Sequence, residues 1–203
     1  MNKIKPRVVV SNDVMVCISK LPGRAKNKAL DFLMKFQVEP DSKGLNYERV
    51  LASKDKNLWS ARVDQDYRAI IYKGEQEGGL SAYLLVHIAK HDDAYNWAKN
   101  RKVSVNRYTN AIALTNIEYV EKTVERDQEP QPDQPAPLFE HLSDRDIVSI
   151  GVPEDMVPAV RTIRSEGDLE EMSPELPVEG YEGLFLVACG DTVSQVLASH
   201  ETR

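Results

Sequence analysis

The spacing of apolar positions changes character several times along the chain. Arg7 to Val10 is a short β-branched run that reads as a strand, and the polar Ser-Asn-Asp after it suits the start of a helix. Ala25, Ala29, Leu30, Leu33 and Phe36 then recur near helical spacing with lysines on the other side, which predicts an amphipathic helix that stops before Pro40. After the turn at "DSKG" the period shortens. "LNYERVL", "LWSARVDQDYRAIIYK" with a bend near Asp64 to Asp66, and "LSAYLLVHIA" predict strands, the last two joined by a hairpin loop at "EQEGG". "HDDAYNWAKNR" carries acids at its start and bases at its end, the polarity of a short helix.

This order, strand, two helices, a meander of strands and a last helix, predicts an α+β domain over residues 1–102, an antiparallel sheet with its helices on one face. Residues 103–126 read as a connector, helical or partly extended. Asp127 to Pro137 holds four prolines and no apolar residue larger than alanine, so it reads as a linker and a domain boundary. Residues 138–203 alternate cap-like starts, "LSDRD", "VPED" and "SEGD", with short apolar periods and predict a small acidic all-α region. The chain has no internal repeat.

Composition sharpens this division. The 203 residues are 41% hydrophobic, enough for a real core, and they carry a formal charge of -6. Residues 1–102 hold 19 Lys and Arg against 12 Asp and Glu, a net of +7, whereas residues 103–203 hold 7 against 20, a net of -13. A basic module attracts polyanions; the acidic region repels them or masks the basic surface intramolecularly. No window matches a membrane helix and the start lacks the apolar stretch of a signal peptide, so a cytoplasmic protein without a membrane partner is expected. Cys17 and Cys189, far apart and in apolar surroundings, read as buried thiols and not as a disulfide or a zinc knuckle.

The densest chemistry lies in "VHIAKHDDAYNWAKNRK". His87 and His91 are four apart, but His87 falls in a strand and His91 near the following turn, so the spacing does not make a helical metal chelate, and neither metal nor cofactor is expected. A metal-free ribonuclease needs a base for the 2'-hydroxyl, an acid for the leaving oxygen and cations for the phosphorane-like transition state. His91 and Tyr95 supply the first pair, and Arg62 and Arg68 on neighbouring strands supply the cations, with Lys54, Lys56, Lys90 and Arg101 as further phosphate contacts. The same residues have a structural reading: Tyr95 as a core tyrosine with a bonded hydroxyl, Arg68 as a partner of Asp66 or Asp93. Trp59 and Trp97 read as packing residues more than base-stacking ones.

Lys20-Leu21-Pro22, "FLMKF", "GLNYERV", "ARVDQDYRAIIYK" and "VHIAKHDDAYNWA", in that order, resemble the RelE/ParE toxin superfamily over the first hundred residues. The pattern is more similar to a version preceding the motor in some UvrD/Rep-like helicases, where a Pro-rich linker and a "GVPE...PAVR...YEGLFLVA.G" segment like Gly151 to Gly190 follow. The resemblance implies a toxin-antitoxin fold, RNA or single-stranded nucleic acid as partner, the ribosome among the candidates, and catalytic roles for Arg62, Arg68, His91 and Tyr95. Two positions depart: Ser60 stands where RelE-like toxins carry a strand lysine, and Ala89 where they carry an arginine. No G-x-x-x-x-G-K-[ST] occurs, so the chain holds no helicase motor of its own.

Overall fold

In the computed structural model, which describes residues 6–76, 80–128 and 134–201, strand β1 (Arg7–Val10) ends at Ser11, whose side chain accepts from the Asp13 amide and starts α1 (Asn12–Ser19). Helix α2 (Gly23–Val38) stops two residues before Pro40, as its pattern predicts. The strands β2 (Glu48–Arg49), β3 (Leu58–Arg62), β4 (Tyr67–Gln76) and β5 (Leu80–Lys90) complete a sheet in the order β1-β5-β4-β3-β2. Helix α3 (His91–Lys99) follows β5 directly. Three of the five "EQEGG" residues, 77–79, lie outside the described residues.

The expected antiparallel sheet holds from β2 to β5, but β1 joins β5 in parallel, Arg7 opposite Ala82 through Val10 opposite Leu85, so the sheet is mixed. The reason is connectivity. Parallel partners need a long crossover, and the helical pair and three strands that lie between β1 and β5 supply it.

Cross-strand neighbours share a face, so the register separates two sides. Ala61, Ala69, Ile71, Leu85 and Ile88 form one core with Val14, Ile18, Phe32 and Phe36 of α1 and α2. A bulge sets Ile70 opposite His87 and Ile71 opposite Leu85, leaving Val86 as the extra residue. The row Ser60, Ile70, His87 therefore lies on the other side of the sheet from this core, although His87 still reaches Cys17 of α1. Helix α3 lies on this second side, with Ala94 and Ala98 fully buried and Tyr95 bonded to Ser60. The helices α1 and α2 keep to the expected face and α3 takes the other.

The chain divides into two compact units, Met1–Asn100 and Arg101–Arg203. Residues 103–126, read as a connector, contribute the hairpin of β6 (Arg101–Val105) and β7 (Ile112–Asn116) and the helix α4 (Ile117–Asp127) to the second unit. Asn106, 4% exposed, anchors the hairpin by donating to the carbonyls of Val148 and Val152. Arg164 binds the Asp127 carboxylate at 2.9 Å and the Pro135 carbonyl at 2.5 Å, so both flanks of the Pro-rich stretch are fastened inside this unit. Its remaining helices, α5 (Asp144–Ser149), α6 (Val157–Val160), α7 (Glu166–Met172), α8 (Val178–Ala188) and α9 (Val193–Glu201), enclose a core around Phe139, Ile147, Ile150, Met156, Ile163 and Leu169. The predicted starts at Ser143 and Ser165 are both full capping boxes, with Asp146 and Asp168 reaching back. Gly151 adopts φ +105°, and a Cβ there would meet the Gly180 amide at 2.9 Å, so the turn and α8 touch backbone to backbone.

Candidate functional site

The second face of the sheet carries the chemistry. Ser60 is 1% exposed, and its hydroxyl lies 2.8 Å from the Tyr95 hydroxyl while reaching the Glu48 carbonyl at 3.4 Å. Tyr95 also donates towards the Glu48 carboxylate at 3.5 Å. The position where a lysine was expected by resemblance is thus a small buried residue under a tyrosine hydroxyl. Both readings of Tyr95 meet here: its hydroxyl is bonded, yet the ring stays only half-buried.

His91, at the first position of α3, lies one turn before Tyr95, and their rings approach with centroids 4.8 Å apart at 32°. Its backbone amide donates to the Asp66 carbonyl at 2.7 Å, which fixes the start of α3 against the β3–β4 turn. Its Nδ1 lies 2.9 Å from the Asp92 carboxylate, and the imidazole is about half exposed. A carboxylate on Nδ1 orients the ring and leaves Nε2 for proton transfer.

Arg62 lies two residues beyond Ser60 on β3, exposed and on the same face, directly opposite Arg68 of β4. Arg68 is half-buried, and its Nη1 donates to the carbonyls of Asp64 and Tyr67, both at 3.0 Å. It holds the β3–β4 turn through backbone acceptors, where an acidic partner, Asp66 or Asp93, was the structural expectation. Two like charges directly opposite each other repel unless something stabilises them. Carbonyl oxygens do this for Arg68, and Arg62 faces water.

The further cations do not gather around this point. Lys90 pairs with Tyr67, so the pleat turns it to the side opposite Arg68. Lys54 and Lys56 lie in the loop before β3, which is tied to the far end of α3 by Ser53 on the Ala98 carbonyl and the Lys54 amide on the Lys99 carbonyl. Arg101 opens β6 and belongs to the second unit. Ala89, opposite Arg68, offers no charge.

Sequence reasoning missed two groupings in this unit. On the α1/α2 side the Lys73 ammonium sits 3.2 Å from the Tyr47 ring centre and 4.5 Å from that of Trp59, with the Arg49 guanidinium 4.9 Å from the Trp59 ring. Burial pulls the Lys73 amine below its ordinary pKa. Beside it burial, and then the hydrogen bond to Asp41, push the Tyr83 phenol up to about 12. The alternation of Trp59 with Ser60 and of Tyr72 with Lys73 was the available signal, since it assigns Trp59 and Lys73 to one side. The second grouping is Cys17 with His87. Cys17 is half-buried and Cys189 exposed, whereas both were read as buried. Among the described residues no cluster of three His, Cys, Asp or Glu side chains could hold a metal ion, and no helix is long and apolar enough to cross a membrane.

In the second unit a cavity of about 480 Å³ lies beside Tyr119, Arg126, Asp127, Arg164 and Asp168. Arg164 and Asp168 are occupied there with fastening the chain.

No family model and no curated protein matches the sequence. Among solved structures, a YoeB/ParE toxin from Agrobacterium tumefaciens is similar at 15% identity, over 42% of this chain and 98% of that one, with a TM-score of 0.33, a weak toxin-like likeness of fold.

Proposed function

We propose that the first unit binds RNA or single-stranded nucleic acid on the face carrying Arg62, Arg68, His91 and Tyr95, and that it cleaves RNA slowly without a metal. The observation that carries this reading is the approach of His91 and Tyr95, ring to ring at 4.8 Å, with Tyr95 seated on Ser60 two residues from Arg62. In this mechanism His91 Nε2, oriented by Asp92, takes the 2'-hydroxyl proton. The Tyr95 hydroxyl protonates the leaving 5'-oxygen, Arg68 is a fixed cation and Arg62 a mobile one, and the product is a 2',3'-cyclic phosphate. Support for the polyanion comes from charge: Met1–Asn100 holds 17 Lys and Arg against 12 Asp and Glu, a net of +5. The motif order shared with the region preceding some UvrD/Rep-like helicase motors adds single-stranded DNA to the substrates worth testing, and the toxin resemblance adds the ribosome.

The test is binding and cleavage of labelled RNA and DNA oligonucleotides by the intact protein in chelator, beside a His91→Ala/Tyr95→Phe variant. Cyclic-phosphate ends made by the native protein and lost in the variant support the reading. Absence of binding to every oligonucleotide at low salt refutes it.

A second reading has its own observation, the acidity of the second unit. Arg101–Arg203 holds 9 Lys and Arg against 20 Asp and Glu, a net of -11, and Lys102, Arg107, Lys122, Arg161 and Arg164 pair with acids inside it. The unit then serves as a regulatory polyanion that masks the basic face or docks another protein. Residues 1–100 binding RNA no more tightly than the intact chain, with the same salt dependence, would remove the masking version.

A further inference from the structure

Helix α1 meets, some seventy residues later in the chain, β5 and the helix α3 that follows it. Cys17 of α1 places its Sγ 3.5 Å from Nδ1 of His87 in β5, and the His87 ring lies flat on Trp97 of α3, centroids 4.3 Å apart and planes 4° from parallel. We propose that Cys17 and His87 form a thiolate–imidazolium pair and that Cys17 is a nucleophilic modification site for small electrophiles, hydroperoxides in particular. The role is separate from the nucleic-acid face and does not depend on it.

Three physical features support it. A thiol within hydrogen-bond reach of an imidazole can pass its proton from Sγ to Nδ1 with no movement of heavy atoms, and the resulting opposite charges stabilise each other. The indole stacked on the other side favours the imidazolium, because its π-face attracts a cation. Cys17 is half-buried and not enclosed in the core, so the residue keeps contact with solvent. A merely structural cysteine needs neither the imidazole nor the stacked indole.

With a hydroperoxide the step balances. The thiolate attacks one peroxide oxygen, the O–O bond breaks, and sulfur is oxidised to the sulfenic acid while the peroxide is reduced. His87 gives its proton to the departing oxygen, so hydrogen peroxide yields one water and neutral imidazole.

Cys189, exposed at the end of α8, is a reference thiol inside the same molecule. The experiment is alkylation of the intact, reduced protein by iodoacetamide at about pH 5.5, with each cysteine followed by peptide mass spectrometry. An ordinary thiol is almost entirely protonated there, whereas a thiol that can hand its proton to an imidazole keeps a reactive fraction, so Cys17 should be alkylated at least about tenfold faster than Cys189. His87→Phe, which keeps a ring against Trp97 and removes the base, should abolish that excess while the Cys189 rate stays put. Dimedone trapping during dilute hydrogen peroxide treatment should tag Cys17 before Cys189. In the native protein, Cys17 reacting no faster than Cys189 overturns the proposal whatever the variant does, and an excess that survives His87→Phe overturns the pairing.

Discussion

Tyr95→Phe separates a structural from a chemical role for the tyrosine, because the structure sets the two magnitudes far apart. The Tyr95 hydroxyl lies 2.8 Å from the Ser60 hydroxyl, an ordinary O–H···O distance, and Ser60 is 1% exposed. Removing the phenol oxygen leaves Ser60 with its 3.4 Å contact to the Glu48 carbonyl, so the unit should lose about 1 kcal/mol. Ser60→Ala should cost a similar amount, and the double variant less than the sum, with a coupling of about 0.5–1.5 kcal/mol because the two atoms touch. The assay is urea unfolding followed by tryptophan fluorescence, which reports this unit alone because Trp59 and Trp97 both lie in it. Loss of a proton donor in the transition state is a larger effect, roughly 10²- to 10⁴-fold in cleavage rate, and Tyr95→Phe should show it while Ser60→Ala stays within about tenfold of the native rate. A coupling below about 0.3 kcal/mol would show that the hydroxyls are not bonded in solution. Equal cleavage by native protein and Tyr95→Phe would leave Tyr95 a packing residue.

Three further outcomes follow from other parts of the molecule. In Gly183→Ala the new Cβ would lie 2.7 Å from the Ile150 carbonyl oxygen, a backbone atom, so an overpacking cost of about 1–3 kcal/mol should outweigh the roughly 1 kcal/mol gain in helix propensity. Gly23→Ala meets nothing within 4 Å and should stabilise; thermal unfolding followed by circular dichroism that gives both changes the same sign would contradict this. Arg62→Gln should weaken RNA and DNA binding alike and lower the slope of log K against log salt by about 1, and an unchanged slope would show that Arg62 touches no phosphate. Tyr83 is held neutral up to about 12, above its ordinary 10.0, by burial and by Asp41; the stability it contributes is therefore complete below pH 10 and lost as pH rises from 10 towards 12. Asp41→Asn should shrink that alkaline loss in fluorescence-monitored unfolding, and identical curves for the two proteins would refute the assignment.

The elements of the first unit were legible because periodicity and punctuation agreed. Leu33 and Phe36 with Pro40 defined α2, and the acids of "HDDAYNWAKNR" marked α3. The parallel pairing of β1 was not legible, since "RVVV" reads the same whichever way its partner runs. Nor was the second unit's hairpin. Its anchor is Asn106, a polar residue that looks like loop sequence until Val148 and Val152 supply the acceptors for its amide. The proline-rich stretch reads as a linker from composition, and only Arg164, thirty-seven residues after Asp127, shows that its flanks belong to one unit.

At the site, residue types were readable and directions were not. Arg62, Arg68, His91 and Tyr95 share a face because β3 and β4 pair Arg62 with Arg68, and because α3 returns over Ser60. Lys90 is adjacent to His91 in sequence yet turned to the other side by the same pleat. Ser60 is the instructive position. Set against the toxin resemblance it is a missing cation; in the fold its small side chain is what lets the Tyr95 hydroxyl settle on the sheet, where a lysine would have to occupy that space or displace α3. Ser60→Lys therefore does not simply restore charge. It should raise nucleic-acid affinity through the added cation while dislodging Tyr95, so that binding strengthens as cleavage falls, and a variant that gained both would show that Tyr95 does not need its seat.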